Sequence, residues 1–381
     1  MTCILLLFSI PVVSTKGQLK SFTDKNRILI ISVLLLIFFG LRGFVYSDWL
    51  PYYECFLHSP TIYDGYSAIN HFFVNNYFEK GYLLLNILVK SIFNNWYFFQ
   101  FVNYGIDFFI IYHFFKNTVP NQIILCFCFY FTFSGLFMEI NLMRNIKSIM
   151  IFISSLKYIR QKKFMPYLFL NIIGIFFHIT AAIFIPLYFI LNKKNHKKYL
   201  LLCFILGNII FLANIPLAKT IIGLIGKLLF GRLASMAISY LEYKATATGN
   251  GISIGYLERT FTFIIMYKNY NRIMKNDNNL IFYNCLIIYL FVNLFFADMS
   301  IITDRVSILF IFSYWVLYPQ IYEILNRQNK IVFLIILLIY SVLKMISGNQ
   351  TLICAYDNLL IPLYNYDDRK NMIMTFWNSL K

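Results

Sequence analysis

Charge is scarce in this sequence. Asp, Glu, Lys and Arg make up 13% of its 381 residues, about half the share in a soluble domain. No polar stretch is long enough for a separate soluble domain of about 50 residues or more. Acids are scarcer than bases, 16 against 33, which leaves a net charge of +17. Chemical motifs are missing too. There is no phosphate-cradling glycine loop, GxSxG, HExxH or DxD, which argues against cytoplasmic nucleotide chemistry. No CxxC or His-Cys cluster points to a metal, and the isolated Asp367-Asp368 pair does not make one. No cofactor is implied. Internal repeats, low-complexity tracts and flexible linkers are also absent.

What fills the chain is apolar: 60% hydrophobic residues, 20% aromatic, with 42 Phe and 29 Tyr. Residues 28–46, 121–138, 280–297 and 331–347 each approach the roughly 20 helical residues that span a bilayer core. The expected fold is therefore all-α: a polytopic transmembrane bundle, one integral membrane domain over 1–381. The basic residues sit in short loops between apolar runs, as the positive-inside rule requires, and this argues against nucleic acid as the partner. Cys126, Cys128, Cys203 and Cys285 lie inside apolar stretches and act as small hydrophobes. Cys55 and Cys354 share the outer side in this reading, which leaves a disulfide open. The first residues, MTCILLLFSIPVVSTKG, lack a basic n-region and read as a short, uncleaved first helix.

Lys/Arg content places 16–27, 116–120, 160–163, 192–198, 268–279 and 323–330 in the cytoplasm. It places 47–95, 139–144, the neighbourhood of 178, 216–255, 298–305 and 348–381 outside. Residues 81–93 are too short to cross and carry Asn86 and Lys90, so they read as an interfacial or re-entrant helix. Residues 164–191 have basic loops at both ends, which two short limbs meeting near His178 satisfy. The count is about twelve crossings, with both termini outside. The loop 216–255 is amphipathic at helical spacing and reads as a lid on the outer surface.

Charged groups gather on that outer side. Arg42, followed by Asp48 and Tyr52, either snorkels to the interface or clamps an anion, with Asp48 orienting it or a substrate hydroxyl. Glu79 is either a helix N-terminal acid or a carboxylate pointing into an outer cavity. Arg144, Lys147 and Ser148 share one helical face, and two cations there suit a phosphate or diphosphate. His178, at the apex of the broken pair, is either a satisfied core histidine or a proton-transfer group. Asp304 can cap the helix that begins near Arg305. Arg305, a cation at a helix start, opposes the dipole and needs an anionic partner, protein or ligand. Arg232 in the lid and the Glu258-Arg259 pair are further, weaker candidates.

The segment from Arg144 through Tyr158-Ile159-Arg160-Gln161-Lys162-Lys163 to Phe177-His178-Ile179-Thr180-Ala181 resembles the EpsG/Wzy-type polysaccharide polymerases. Arg42…Asp48…Tyr52, Glu79-Lys80-Gly81-Tyr82, and Asp304-Arg305 with Tyr314 and Pro319 look like that family's other short elements. The chain departs from the pattern at Ser47, Asn145 and Lys147. The resemblance implies a bacterial inner-membrane glycosyltransferase of O-antigen, capsule or exopolysaccharide synthesis. It would join undecaprenyl-diphosphate-linked oligosaccharide repeat units at the outer face. It implies that arginines hold the diphosphate leaving group and that His178, Glu79 or Asp48 takes the acceptor proton. A flippase and a chain-length regulator are the implied protein partners. Two other readings stay open: a flippase or transporter of lipid-linked sugars, and an O-antigen-ligase-like membrane glycosyltransferase. Inverted repeats and midplane charges, which a transporter should show, are not evident.

Overall fold

A computed structural model of the chain describes residues 17–228, 251–348 and 352–379. The fold is all-helical. Among the described residues no β-strand forms, and extended pairing is limited to the isolated bridges Arg42↔Asn358 and Asn358↔Ile361. The expected single membrane domain is built from two compact units. One runs to Tyr188 and resumes at Tyr318; the other is Phe189–Leu317.

The first unit contains α1 (Gly17–Gly40), α2 (Trp49–His58), α3 (Gly65–Asn75), α4 (Lys80–Ile92), α5 (Trp96–Thr118), α6 (Ile123–Tyr130), α7 (Leu136–Asn141), α8 (Met143–Arg160) and α9 (Phe164–Phe177). In the second unit lie α10 (Lys197–Leu212), α11 (Leu217–Leu228), α12 (Ile254–Lys268), α13 (Tyr270–Ile273), α14 (Asn279–Phe295) and α15 (Ser300–Ile302). The remaining helices are α16 (Phe312–Ile324), α17 (Arg327–Gly348) and α18 (Tyr366–Ser379).

Apolar length is divided unevenly. Pro120–Asn141 and Arg327–Ile346 are each long and apolar enough to cross a membrane. The pair α10 and α11 passes only when joined, and it is bent by 93°. Among the described residues this gives two spans, or three with the bent pair, so the expected count of about twelve is not confirmed. Pro120–Asn141 itself kinks where Ser134 takes a positive φ of 68°. Phe164–Phe177, Ile179–Phe189 and Asn279–Phe295 are apolar but shorter. On α17, Ile331, Ile335, Ile339 and Ile346 are more than half exposed, an apolar face that suits lipid rather than water.

The break at His178 lies where the basic turns predicted it. Its backbone is extended (φ −156°, ψ 130°), and the 3-10 helix Ile179–Phe189 follows α9 directly. The limbs fold back on each other. Tyr167 OH donates to Phe184 O, and a Cβ on Gly174 would lie 3.3 Å from that of Ala181. The 81–93 segment is the 13-residue helix α4, about 20 Å long and so too short to span. Its Lys90 Nζ donates to the carbonyls of Phe56, Leu57 and Ser59, closing the C-terminus of α2. This explains a lysine among apolar neighbours.

Other expectations change. From residue 17 onward the proposed loop 16–27 is the first part of α1, and that helix stops at Gly40 rather than running to 46. The amphipathic 216–255 loop holds α11 and the start of α12, while residues 229–250, including Arg232, lie outside the described residues. So do residues 1–16, where a first helix was expected. No disulfide joins Cys55 to Cys354, and Cys55 Sγ accepts from Asn76 Nδ2 at 3.8 Å.

In the second unit, Asn284 Nδ2 donates to Leu191 O and Lys193 O, and Asn284 Oδ1 accepts from Asn195. One side chain thus pins the basic turn 191–195 to α14. Asp298 accepts from the Ala218 and Lys219 amides and caps α11. Phe204 stacks on Phe263 at 3.8 Å, joining α10 to α12.

Candidate functional site

Glycine sets the geometry. A Cβ on Gly81 would lie 2.7 Å from Phe176 O, so only glycine lets the first turn of α4 touch the last turn of α9. Glu79, the residue before α4, is thereby brought beside the break at His178. Glu79 Oε1 accepts from the Ile179 amide at 3.3 Å. Its other oxygen accepts from Nη1 of Arg144, in the first turn of α8. Each side chain of this pair keeps 20% of its surface exposed.

Two rings frame the guanidinium. Arg144 Cζ lies 4.4 Å from the centre of the Phe78 ring and 5.8 Å from that of Tyr52. Such contacts hold an arginine flat while leaving its edge for an anion. Burial pushes the Tyr52 phenol up to about 12, so it stays a protonated donor at neutral pH.

His178 closes the site from the other side. Its Nδ1 lies 2.7 Å from Thr180 Oγ1, and Thr180 Oγ1 donates to Asn145 Oδ1 at 3.2 Å. The Thr180 amide also donates to Nδ1, at 3.3 Å. Asn145 follows Arg144 on α8, so the histidine and arginine are held by one set of bonds. Asp48 borders the group, one turn before Tyr52. Its amide donates to Asn141 Oδ1 at 3.0 Å, and its Oδ1 accepts from Ser47.

The structure therefore gathers Tyr52, Glu79, Arg144 and His178, with Asp48 at the edge. It does not add Lys147 to Arg144. Lys147 points into the unit's core, where it donates to Asp107 and to Asn103 O and is 3% exposed. The shared helical face predicted a double clamp, but a buried carboxylate takes the second cation. Arg42 does not snorkel. It lies beyond the end of α1, is 1% exposed and donates to Phe39 O at 2.6 Å. Its Nη2 has no hydrogen-bond partner among the described residues.

Asp107 and Glu139 were missed in the sequence. Glu139 accepts from the Tyr130 hydroxyl, and both acids are buried. The signal was present: a lone carboxylate in a run such as YGIDFFIIYHFF needs a partner in the bundle.

Asp304 and Arg305 belong to the second unit and stand apart from this group in sequence. They lie inside the π-helical turn Thr303–Ser307, so Asp304 does not cap a helix beginning at 305. Both side chains are exposed, and no described carboxylate pairs with Arg305. On α12, Glu258 accepts from Thr262 Oγ1 at 2.8 Å. Among the described residues, no three His, Cys, Asp or Glu side chains are placed to share a metal ion.

No curated protein matches the chain, and no solved structure does. A family model does, over residues 26–356, a stretch that includes Arg42, Asp48, Tyr52, Glu79, Arg144, His178, Asp304 and Arg305. With most of its length and every described candidate residue inside that match, this membrane chain belongs to the EpsG family.

Proposed function

We propose that the chain joins lipid-diphosphate-linked oligosaccharide repeat units into a polysaccharide at the outer face of the bacterial inner membrane, as a multi-pass enzyme. Family membership supports polysaccharide polymerisation. The observation that carries the finer reading is the Arg144 guanidinium, flanked by Glu79 and His178 at a break between two helices.

In this reading Arg144 and the Tyr52 hydroxyl hold the diphosphate of an undecaprenyl-linked donor. Glu79 fixes the guanidinium by accepting from Nη1. The acceptor sugar's hydroxyl oxygen attacks the anomeric carbon of the donor glycan. The bond from that carbon to the phosphate oxygen breaks, and its electron pair leaves on the diphosphate, stabilised by Arg144. The acceptor proton passes to the His178 imidazole, whose position is set by the contacts of Nδ1 with the Thr180 hydroxyl and amide and by the bond from that hydroxyl to Asn145. Glu79 is occupied by Arg144 and the Ile179 amide, which favours a positioning role over that of base. Asp48 orients the acceptor hydroxyl. Arg305, without a described carboxylate, is a candidate anion contact of the other unit. A flippase supplies the substrate and a chain-length regulator sets the product size.

Deletion of the gene tests the class. Loss of a polymerase leaves single repeat units on the cell surface. Units trapped inside would mark a flippase, and long unattached polymer a ligase. Arg305→Ala should lose polymer while the protein still inserts; full-length polymer would remove Arg305 from the reaction.

A further inference from the structure

Two basic turns of the second unit meet at one end of a helix pair. Contacts at three successive levels run α10 antiparallel to α12. Phe211 stacks on Tyr256 at 4.6 Å and Phe204 on Phe263 at 3.8 Å. Lys197 Nζ then lies 4.8 Å from the centre of the Tyr267 ring and 5.3 Å from that of Tyr270. This last contact sets the turn before α10 against the turn after α12.

The meeting point is strongly cationic. Lys193, Lys194 and Lys198 are exposed at the first turn, and Lys268, Arg272 and Lys275 at the second. Asp277 is the one acid in residues 192–198 and 268–279. The first turn is also fixed in place, because Asn284 Nδ2 donates to Leu191 O and Lys193 O. Its lysines are therefore displayed from a held backbone. Lys197 and Lys198 oppose the dipole at the start of α10, and like charges gathered in two facing turns repel. An anion between the turns offsets both.

Below the charges the pair is apolar. On α10, Leu202, Ile205 and Ile209 share a face and are 53%, 48% and 53% exposed. On α12, Leu257, Phe261 and Ile264 share a face and are 55%, 54% and 40% exposed. Lys198 stands one turn before Leu202, and Lys268 one turn after Ile264. Each apolar stripe is thus topped by a cation, both at the end where the turns meet. A free phosphate would use the cations alone. An acidic protein surface would leave the stripes uncovered. A molecule with an anionic head and hydrocarbon tails matches both parts.

We propose that this end of the pair binds an anionic phospholipid, with its phosphate between the two basic turns and its acyl chains along the stripes. The bound phosphate holds together two turns that otherwise repel. The site stands apart from the proposed chemistry and uses neither Arg144 nor His178.

The test uses the full chain purified in detergent, with retained lipid measured by native mass spectrometry. Phosphatidylglycerol should bind about tenfold or more tightly than phosphatidylethanolamine with the same acyl chains. It should also raise the unfolding temperature, and phosphatidylethanolamine should not. Lys193→Gln with Lys194→Gln, and Lys268→Gln with Arg272→Gln, should each weaken phosphatidylglycerol binding by about tenfold or more. Lys193→Arg with Lys194→Arg should bind as the wild-type chain does, which separates lost charge from lost fold. Lys162→Gln with Lys163→Gln, in another exposed basic turn, should bind unchanged. Equal retention of the two lipids, or losses no larger in the two turn variants than in this control, would overturn the proposal. Tighter binding of undecaprenyl phosphate than of phosphatidylglycerol, lost in the same variants, would also overturn it, by making this end a carrier-lipid site.

Discussion

The guanidinium of Arg144 donates to the carboxylate of Glu79, a residue 65 positions earlier in the chain. Glu79 in turn accepts from the amide of Ile179, next to His178. One carboxylate therefore ties the start of α8 to the helix break. Arg144→Lys keeps the charge but loses the flat contact with Phe78 and the fork geometry. Polymer formation should fall by about 10²-fold or more, the usual cost of losing one positioned donor in a transition state. Glu79→Gln should fall less, because an amide oxygen still accepts from Arg144. A chain-length ladder measured for each variant checks the order.

His178→Gln removes the proton acceptor and should lower turnover by roughly 10²–10⁴-fold. Thr180→Val removes only the partner of Nδ1, so its loss should be smaller and should come with a changed pH profile. A Thr180→Ser variant should restore it. Equal losses for Val and Ser at position 180 would mean that the hydroxyl does not orient the ring.

Lys147 and Asp107 form a buried ion pair below the site. Lys147→Met alone leaves a buried carboxylate uncompensated, at a cost of about 3–5 kcal/mol. The double variant Lys147→Met with Asp107→Leu should recover most of that stability, because both charges leave together. Thermal unfolding in detergent of the two single variants and the double variant completes the cycle.

Gly81→Ala places a methyl 2.7 Å from Phe176 O. Separating α4 from α9 should cost about 1–3 kcal/mol and move Glu79 away from the Ile179 amide. The expected result is reduced polymer with an inserted protein, whereas Gly105→Ala, where a Cβ meets nothing within 4 Å, should be neutral.

Much of this site was legible in the sequence because each signal was local. Basic turns on both sides of 164–191 required a break, and His178 stood at its centre. Glu79, Arg144 and Tyr52 were singled out as polar groups at the margins of apolar runs, where burial is costly. The pairings among them were not legible, because which carboxylate meets which cation depends on packing between α4, α5, α7 and α8. Lys147 shared a face with Arg144, yet Asp107 on α5 claimed it. Arg42 lay at the end of an apolar run, yet α1 stopped at Gly40 and a turn carried the arginine into the core. The count of about twelve crossings is not confirmed by helix length, because composition marks apolar length while breaks such as the 93° bend between α10 and α11 decide whether that length forms one helix.

The central claim is that Arg144 and His178 act on one lipid-linked glycan diphosphate. Its most direct test is the purified chain in vesicles, given a synthetic undecaprenyl-diphosphate-linked repeat unit. The wild-type protein should release undecaprenyl diphosphate and build a ladder of joined units, and Arg144→Ala and His178→Gln should build none. A full ladder from either variant, or none from the wild-type protein, would contradict the claim.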